Sequence, residues 1–513
     1  MADALTRSLV LIGFMGAGKS TAARNLGALL GVPVADADAL IEERLGQPIA
    51  TIFERDGEAA FRAVEEAVCR ELLDPARAPG VVALGGGALG AEPVREALRA
   101  HVAVHLDVPL ATSWERVAGS SRPLARDRQA FEALFGAREA GYRAAADATL
   151  PSGDPALLER VLPSLRSLDE ASGEHARLLW ATSASADYPV WVGPDATTRA
   201  PWPLGEASRP IVISDSNVAD LYAGRVSGIA GLVEFQAGEE HKTLATCERV
   251  WRSLVAQGVT RADHLVAVGG GVVGDLAGFV AATFQRGIPV VQVPTTLVAQ
   301  VDSAFGGKTG VDLPEAKNYI GCYHQPAAVF VDPSVLSTLP AREFAAGYAE
   351  VVKTALIAGG TLWDRVGAGV PVDDDIIFDC ARAKLAIVAA DERDGGRRQV
   401  LNLGHTIGHA IETVTGYARL RHGEAVGLGL LAALRLSGQD ELRDHVGELL
   451  DRAGLPSSVS GVDADAVVAA THNDKKRVGE HVPFVLCNAP GDVRFGAQVT
   501  EGDVRAAVAE LLA

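Results

Sequence analysis

Several residue types are scarce in this sequence, and each scarcity argues against a class of protein. The chain has five cysteines and no Cys-x-x-Cys pair, which argues against a disulfide framework and against a cysteine-ligated zinc site. Positive charge is in deficit, and a formal net charge of −18 disfavours nucleic acid or an anionic membrane as the main partner. No apolar run is long enough to span a bilayer, and the apolar start lacks a secretory cleavage site. We therefore expect a cytoplasmic protein.

The residues that are present predict an α/β fold with more than one domain. Hydrophobic residues make up 48% of the 513 positions, enough for several packed cores. Up to about Leu168, the apolar segments SLVLIG, VPVAD, GVVALGG and VAVHLDV alternate with helical stretches, which is typical of a parallel sheet covered by helices. The polar segment SLDEASGEHAR that follows predicts a linker.

A second alternating region follows the linker, and then the pattern changes. Its apolar segments are YPVWVG, RPIVISD, GLVEFQAG, HLVAVGGG, IPVVQVPTT and AAVFVDP. From about Leu336, Ala/Leu/Val stretches with helical periodicity dominate, for example GEAVGLGLLAALRLSG. The predicted regions are an α/β domain at 1–168, a linker at 169–178, an α/β subdomain at 179–335 and an all-helical subdomain at 336–513.

The first region contains a phosphate-binding motif. GFMGAGKS, from Gly13 to Ser20, fits G-x-x-x-x-G-K-[ST] and lies between an apolar strand and a helical stretch. In this motif the backbone and the helix N-terminus surround phosphate oxygens, the lysine reaches the β- and γ-phosphates, and the serine binds Mg²⁺. A glycine-rich turn without a ligand is the competing interpretation, and the flanking strand and helix disfavour it. The predicted nucleotide-binding residues are Gly16, Ala17, Gly18, Lys19, Ser20 and Thr21.

Further motifs, in order, resemble those of shikimate kinase over nearly all of residues 1–168. After the phosphate loop come VADAD, FR, LGGGA, SSRPL and GAREAGYRAAA, the last with Arg138 and Arg143. The resemblance implies a P-loop kinase that phosphorylates shikimate with ATP and Mg²⁺. It assigns Asp36 to the Mg²⁺ shell, Asp38 to the ring hydroxyls and proton transfer, Arg62 and Arg143 to the substrate carboxylate, Gly86 to the ring, Arg116 to adenine, and Arg122 to the ATP phosphates.

The second half carries a glycine run and a histidine pair. Gly269, Gly270 and Gly271 follow a predicted strand and open a helix, which suits a pyrophosphate, although the motif is not a clean G-x-G-x-x-G. His405 and His409 are four residues apart, so they share a helix face and are able to chelate one metal ion. His422 and Glu350 are further candidate ligands, since two imidazoles and a carboxylate with an open position form a catalytic zinc pattern.

Residues from about 176 to 513 resemble 3-dehydroquinate synthase. The shared motifs are GGGVVGDLAGF, PTTLVAQVDSAFGGKTGV, KNYIGCYHQP, GYAEVVK, DERDGGRRQVLNLGHTIGHA, HGEAVGLG and DKK; Phe305 departs from the smaller residue that is commoner there. The resemblance implies a Rossmann-like NAD-binding subdomain and a metal-binding subdomain. It makes Glu350, His405 and His422 the ligands of Zn²⁺ or Co²⁺, so that His409 contacts the substrate instead.

The same resemblance assigns the other site residues of the second half. The NAD contacts are Asp215, Glu239, Lys242, Gly270, Gly271, Asp275, Thr295, Thr296, Lys308, Lys317, Thr338 and Leu339. The substrate contacts are Asp302, Lys308, Lys317, Asn318, Lys353, Lys384, Arg398, Asn402, His409 and Lys475 or Lys476. Lys308, Lys353 and His409 are expected to act in catalysis, beside Lys19, Asp38 and Arg122 of the kinase. Arg286 matches an arginine that comes from a neighbouring subunit, which implies a homodimer through the synthase half.

The expected function is therefore that of a bifunctional enzyme with two separate sites. One site phosphorylates the 3-hydroxyl of shikimate. The other converts 3-deoxy-D-arabino-heptulosonate 7-phosphate to 3-dehydroquinate and phosphate, with NAD returned unchanged. The alternatives are a first half that binds nucleotide without catalysis, and a second half that is another sugar-phosphate cyclase or a metal-dependent alcohol dehydrogenase.

Overall fold

The chain forms two compact units in a computed structural model. The structure describes residues 5–119, 123–170, 176–200, 202–205, 207–417, 419–472 and 483–512. Unit 1 comprises Met1–Trp180 with Arg199–Pro201, and unit 2 comprises Ala181–Thr198 with Trp202–Ala513.

The apolar segments of unit 1 form a parallel sheet. Its strands are β1 (Leu9–Ile12), β2 (Val34–Asp36), β3 (Val81–Ala83), β4 (Val102–Asp107), β5 (Ala148–Pro151) and β6 (Arg177–Thr182). They lie in the order β2-β3-β1-β4-β5-β6, and each neighbouring pair is parallel. The four strands predicted from the sequence are confirmed, and β5 and β6 are additional. All four residues of β1 are buried, as expected for a strand covered on both faces.

Helices connect these strands. They are α1 (Lys19–Leu30), α2 (Ala37–Leu45), α3 (Ile49–Leu72), α4 (Glu92–Leu98), α5 (Leu110–Val117), α6 (Arg128–Ala145) and α7 (Leu157–Glu170). Both ends of the predicted linker at 169–178 belong to regular elements, because α7 runs through Glu170 and β6 begins at Arg177. Asp169 is buried and accepts hydrogen bonds from the backbone nitrogens of Thr6 and Arg7 at 2.8 and 2.7 Å, so it belongs to the folded unit.

The first part of unit 2 contains six parallel strands. The strands are β7 (Asp187–Val192), β8 (Pro210–Asp215), β9 (Gly231–Phe235), β10 (His264–Gly269), β11 (Val290–Pro294) and, after a hairpin of β12 (Lys308–Leu313) and β13 (Ala316–Tyr323), β14 (Ala328–Val331). Their order is β7-β14-β11-β10-β8-β9. The six predicted strands are confirmed, whereas the hairpin was not expected. The helices among them are α8 (Ala196–Arg199), α9 (Ala219–Tyr222), α10 (Leu244–Ala256) and α11 (Gly271–Thr283).

The remainder of unit 2 is mainly helical. Its helices are α12 (Ala341–Ala358), α13 (Gly360–Gly367), α14 (Asp374–Ala390), α15 (His405–Val414), α16 (His422–Leu436), α17 (Asp440–Arg452), α18 (Ala464–Thr471) and α19 (Glu501–Ala509). The expectation of an all-helical subdomain is corrected by an antiparallel hairpin of β15 (Phe484–Ala489) and β16 (Asp492–Ala497). These short strands meet at Pro490 and Gly491, the kind of pair that favours a turn.

Side-chain caps and apolar packing fix these elements. Thr243 caps α10 and Asp373 caps α14, each by accepting a hydrogen bond from a backbone nitrogen of the first turn. Leu254 of α10 and Leu276 of α11 are fully buried in one core with Leu265 of β10. In the part of the chain that the structure describes, no helix is long and apolar enough to cross a membrane.

Candidate active sites

The phosphate-binding motif of unit 1 occupies the turn between β1 and α1. Gly13, Gly16 and Gly18 have φ angles of 140°, 76° and 88°, which favour glycine. Lys19 donates from Nζ to the carbonyl oxygens of Gly13 and Phe14, at 2.7 and 3.1 Å. Its ammonium therefore folds back over the loop that would receive the phosphates. Ala17 lies within the loop, and Ser20 and Thr21 lie in the first turn of α1.

Helix α5 supports the loop from the other side. Ser113 donates from Oγ to the carbonyl oxygen of Met15 at 2.5 Å. Arg116 donates from Nη1 to the carbonyl oxygen of Gly16 at 2.8 Å and lies 3.4 Å from Oγ of Ser152. The residue expected at adenine thus lies next to the phosphate loop.

The two predicted aspartates lie where β2 passes into α2. Asp36 caps α2 by accepting a hydrogen bond from the backbone nitrogen of Ala39 at 3.3 Å. Asp38 lies in the first turn of α2, and a Cβ added at Gly85 would approach its Oδ1 to 2.8 Å and Oε1 of Glu65 to 2.4 Å. The two carboxyl groups therefore flank Gly85, and a larger residue there would displace them.

A cavity of about 600 Å³ opens beside these residues, with Arg62, Gly86, Arg138 and Tyr142 in its lining. Arg138 donates from Nη1 to the carbonyl oxygen of Gly86 at 3.0 Å, and the hydroxyl of Tyr142 donates to the same oxygen. Two guanidinium groups on one cavity wall suit an anionic ligand such as a carboxylate.

Arg62 is held between two glutamates. Nη1 lies 2.5 Å from Oε2 of Glu65, and Nη2 lies 2.9 Å from Oε1 of Glu58. Glu65 is only 3% exposed, and burial raises its pKa even though Arg62 opposes that shift. These contacts orient the guanidinium before any ligand arrives.

The two arginines of α6 lie in different surroundings. Arg143 is buried and does not belong to the cavity lining, whereas Arg138 does. Five residues along an α-helix correspond to a rotation of about 500°, so the two side chains leave the helix roughly 140° apart. Of the two arginines, Arg138 is therefore the one that faces the cavity, where a ligand carboxylate would lie. Arg122 lies outside the described residues.

In unit 2 the expected NAD contacts gather at the carboxyl edge of the sheet. Asp215 ends β8, Gly270 and Gly271 follow β10, and Thr295 and Thr296 follow β11. These strands are neighbours and parallel, so their carboxyl ends share the edge where such sheets bind ligands. A Cβ at Gly270 would lie 2.8 Å from Cγ2 of Thr296, which shows how closely the turns approach. Burial raises the pKa of Asp215.

Thr338 and Leu339 lie after β14, where a short 3₁₀ helix, Pro333–Thr338, ends. The Thr338 hydroxyl is hydrogen-bonded to the Tyr222 hydroxyl at 2.5 Å. This contact joins the turn after β14 to helix α9.

Lys242 joins several of the predicted residues. Its ammonium is 3% exposed and lies 2.6 Å from Oδ2 of Asp275 on α11 and 2.5 Å from Oδ1 of Asn318 on β13. Glu239 is 3.8 Å away. Burial acts to lower the pKa of Lys242, but Asp275 and Glu239 outweigh it and raise the pKa. The lysine therefore stays charged and ties the β12–β13 hairpin to the glycine-turn helix.

Three helices bring the predicted metal ligands together. Oε1 of Glu350 on α12 lies 3.5 Å from Nε2 of His405, the first residue of α15, and 3.5 Å from Nε2 of His422, the first residue of α16. The other ring nitrogen of His405 is hydrogen-bonded to the carbonyl oxygen of Leu403 at 3.1 Å. Its Nε2 is then free of a proton and suited to a metal ion. One carboxylate and two imidazoles, each with its other ring nitrogen hydrogen-bonded, form a ligand set that fits a divalent metal ion.

Glycines allow these helices to approach so closely. A Cβ on Gly423 of α16 would lie 1.9 Å from the carbonyl oxygen of Ala346 on α12. A Cβ on Gly429 would lie 1.9 Å from the carbonyl oxygen of Gly404, and one on Gly408 would lie 2.9 Å from that of Ala425. The glycines around the histidine motifs therefore bring the three ligand-bearing helices to one point.

His409 belongs to the same cluster. The ligand nitrogens of His405, His409 and His422 all lie within 4.8 Å of one another. The helical pair His405 and His409 therefore lies at the same place as the expected ligand set of Glu350, His405 and His422. Glu412, one turn further along α15, is 1% exposed and lies 3.4 Å from Nδ1 of His422. Burial acts to raise the pKa of Glu412, but His422 and neighbouring positive groups lower it to about 2.

A buried charge cluster lies next to Glu350. Lys353 is paired with Glu350 and with Oδ2 of Asp302, the latter at 2.9 Å. Lys384 is paired with the other oxygen of Asp302 and donates to its carbonyl oxygen at 2.5 Å. Burial acts to raise the pKa of Asp302, but the two lysines hold it well below its usual range. Burial lowers the pKa of Lys384.

The remaining substrate residues lie at the start of β12 and in a short 3₁₀ helix, Arg397–Asn402. Lys308, at the start of β12, lies 2.6 Å from Oδ2 of Asp394. Arg398 is 1% exposed and donates to the carbonyl oxygen of Gly306 at 3.0 Å. Asn402 donates to the carbonyl oxygen of Gln399 at 3.1 Å.

Arg286 lies in a turn whose backbone conformation favours glycine. Gln285 and Arg286 have φ angles of 48° and 70°, and Gly287 follows at 116°. Consecutive residues of this kind are strained, and such strain persists only where the surrounding structure imposes the conformation. Arg286 is exposed in the chain. Lys475 and Lys476 lie outside the described residues.

Comparisons with known proteins decide the family of unit 2. Family models described as the N-terminal and C-terminal parts of 3-dehydroquinate synthase match residues 232–346 and 347–477. A 3-dehydroquinate synthase of Halorhodospira halophila is 42% identical over 335 residues, which are 62% of this chain and 94% of that protein. The chain belongs to the 3-dehydroquinate synthase family.

The synthase is joined to a kinase. The family model of shikimate kinase matches residues 15–164, which include most of the phosphate loop, both aspartates and the cavity. The chain is therefore a fusion of a shikimate kinase and a 3-dehydroquinate synthase, with a phosphotransferase and a carbon–oxygen lyase half.

Solved structures resemble the synthase half. One is a 2-deoxy-scyllo-inosose synthase complexed with carbaglucose-6-phosphate, NAD⁺ and Co²⁺, with a TM-score of 0.58 and 26% identity over 65% of this chain and 100% of that chain. Another is ValA, a 2-epi-5-epi-valiolone synthase from Streptomyces hygroscopicus with NAD⁺ and Zn²⁺ bound, with a TM-score of 0.55 and 27% identity over 60% of this chain and 91% of that chain.

The sequence patterns did not identify several residues of the two sites. Glu65 follows Arg62 by three residues and Glu412 follows His409 by three, so helical spacing was a signal for both. Asp394 lies in the motif DERDGGRR, and only the structure shows that it faces Lys308.

Proposed function

We propose that unit 1 transfers the γ-phosphoryl group of ATP to the 3-hydroxyl of shikimate. Mg²⁺ held by Ser20 and Asp36 would neutralise charge on the phosphates. Lys19 and the loop amides bind those phosphates, and Arg62 and Arg138 hold the shikimate carboxylate. Asp38, beside Gly85, accepts the proton of the attacking hydroxyl. The observation that supports this is the cavity with two arginines, which adjoins the phosphate loop and Asp38 through the LGGGA segment.

We propose that unit 2 converts 3-deoxy-D-arabino-heptulosonate 7-phosphate to 3-dehydroquinate and phosphate. The convergence of Glu350, His405 and His422 supports this most directly. A divalent metal bound there would lower the pKa of a substrate hydroxyl, and NAD⁺ would oxidise that carbon and later return the hydride. The glycine turn after β10 and the threonines after β11 would hold the cofactor.

The chain's own residues then bind and orient the substrate. Lys353 and Lys384, paired with Asp302, supply positive charge for the anionic groups. Lys308, Lys317, Asn318, Arg398, Asn402 and one of Lys475 and Lys476 are the proposed contacts to the phosphate, carboxylate and hydroxyls. His409, beside the two ligand histidines, is the proposed proton carrier.

We further propose a homodimer through the synthase half, in which Arg286 reaches the partner's site, and a cytoplasmic location. The free thiols of all five cysteines agree with a reducing compartment. We also propose the boundaries 1–168, 179–335 and 336–513 for the kinase, the NAD-binding region and the metal-binding region, with the two ends of the intervening segment 169–178 belonging to α7 and β6.

One preparation of the full chain tests both reactions. Phosphate release from the heptulosonate phosphate should require NAD⁺ and stop with a zinc-selective chelator, while ADP formation with shikimate continues in excess Mg²⁺. Net NADH should not form. Steady NADH accumulation would instead indicate an alcohol dehydrogenase, and turnover of other sugar phosphates but not this one would indicate a different cyclase.

A further inference from the structure

Glu412 is a buried carboxylate with no role in the proposed reaction. It lies on α15, which also carries His405 and His409, and only 1% of it is exposed. Its Oε2 accepts a hydrogen bond from Nδ1 of His422 at 3.4 Å, and its Oε1 lies 3.2 Å from Nζ of Lys317. One carboxylate therefore touches a metal ligand with one oxygen and a substrate lysine with the other.

We infer that Glu412 is a positioning residue that links the metal ligand His422 to the substrate lysine Lys317. The inference rests on the proposed synthase function and extends it. When Glu412 accepts a hydrogen bond from Nδ1 of a neutral His422, the opposite nitrogen, Nε2, carries no proton and faces Glu350 at 3.5 Å. A carboxylate behind a ligating imidazole fixes its tautomer and ring orientation and increases its basicity.

The second contact fixes the hairpin lysine. Lys317 lies on β13, and its ammonium is 4.7 Å from the centre of the Tyr417 ring. Glu412 and Tyr417 together hold this ammonium beside the histidine cluster. Without the carboxylate, a positive lysine would lie near a divalent cation with less neutralising charge.

The arrangement repeats on the other side of the metal position. Glu350 contacts both ligand histidines and is paired with Lys353, just as Glu412 contacts His422 and is paired with Lys317. The ligand carboxylate Glu350 and the carboxylate behind His422, Glu412, are thus each paired with one lysine that the substrate would contact. Metal loading and substrate binding are therefore coupled through Glu412.

Replacement of Glu412 by glutamine tests the metal contact. Titration of the metal-free full chain with Co²⁺, followed by its visible absorption without NAD⁺ or substrate, should show a Kd raised by about 10- to 100-fold. Asp263→Asn is the matched control, because it removes a buried carboxylate from an ion pair with Arg209 elsewhere in unit 2. That control should leave the cobalt Kd within about twofold of the parent value.

The link to Lys317 is tested by a double-mutant cycle on KM for the heptulosonate phosphate, at saturating Co²⁺. Glu412→Gln should raise KM in the parent but hardly in a Lys317→Gln background. Additive effects of the two substitutions on KM would overturn the link. A cobalt Kd that rises equally in Asp263→Asn would overturn it as well. If Glu412→Gln does not fold, Glu412→Asp keeps the charge with a shorter reach and should still weaken cobalt binding; an unchanged Kd overturns the inference. Because the titration needs no turnover, a parent chain that binds Co²⁺ but releases no phosphate would contradict the proposed reaction only.

Discussion

At the scale of single residues, both sites depend on ion pairs in which at least one member is buried. Arg62 is held by Glu65, Lys242 by Asp275, and Lys353 by Asp302. Removing one member of such a pair leaves a buried charge without compensation and costs about 3–5 kcal/mol. These pairs therefore set the orientation of the binding groups more than they add to stability.

The different locations of Arg138 and Arg143 in the kinase give a direct prediction. Arg138→Gln should raise KM for shikimate by about 10- to 100-fold, because it removes a charge-assisted hydrogen bond to the carboxylate. Arg143→Gln is the matched variant on the same helix, and any loss it causes should be seen in thermal stability rather than in KM. Steady-state kinetics of ADP formation measure both, and a larger KM effect at Arg143 would contradict the assignment.

His264 predicts a pH dependence of stability. Trp202 donates to its Nε2 at 2.9 Å, Oγ of Ser208 is 2.8 Å from its Nδ1, and burial lowers its pKa from 6.5 to about 4. The unfolded chain therefore binds a proton more readily than the folded chain, and stability is lost as pH falls from 6.5 towards 4. At about pH 5 the loss is about 2 kcal/mol.

Denaturant unfolding of the parent and of His264→Gln, at about pH 7.5 and about pH 5, measures this effect. The parent should lose more stability than the variant over this interval. Equal losses would show that His264 contributes nothing to the pH dependence.

At the scale of elements, close helix packing creates the metal site. Helices α12, α15 and α16 each contribute one ligand, and Gly423, Gly408 and Gly429 remove the side chains that would keep the helices apart. The metal site therefore depends on the distances between the three helices as well as on the three ligand side chains.

Substitution of Gly423 tests this dependence. In Gly423→Ala the new Cβ would lie 1.9 Å from the carbonyl oxygen of Ala346, so α16 must move away from α12. Cobalt binding should be lost or weakened by more than about tenfold, and stability should fall by about 1–3 kcal/mol. Gly427→Ala on the same helix, whose Cβ would be 3.4 Å from Leu450, is the control and should bind cobalt normally. Equal affinity in the two variants would refute the packing argument.

The elements also show what the sequence was able to predict. Continuous apolar runs identified the parallel strands of both units except β5 and β6, and motif order singled out Glu350, His405 and His422, which the fold brings together. The β12–β13 and β15–β16 hairpins were missed, because their alternation is short and their partners lie only in the fold. The sequence did not separate Arg138 from Arg143, since both lie in one motif and only helix rotation distinguishes them.

At the scale of the whole molecule, the described residues of the two proposed sites lie in different units. The phosphate loop and the arginine cavity lie in unit 1, and the glycine turn and the metal ligands lie in unit 2. Shikimate lies two reactions beyond 3-dehydroquinate, so neither half consumes the product of the other. Fusion then supplies both enzymes in equal amounts.

The proposed dimer predicts complementation between two inactive synthase variants. Arg286→Ala and Lys353→Ala should each lack synthase activity, but a mixture that has exchanged subunits should recover about a quarter of the parental activity. This follows because each mixed dimer has one site with both defects and one intact site. Phosphate release after mixing measures it, and no recovery despite proven exchange would place Arg286 in its own subunit's site.

The central claim is that one chain holds two independent active sites, and single substitutions measured in both assays test it most directly. His405→Ala removes a metal ligand and should abolish phosphate release from the heptulosonate phosphate while leaving shikimate phosphorylation unchanged. Lys19→Ala should do the reverse, because Lys19 lies in the phosphate loop of unit 1. Loss of both activities from either substitution, in protein that remains folded, would contradict the account.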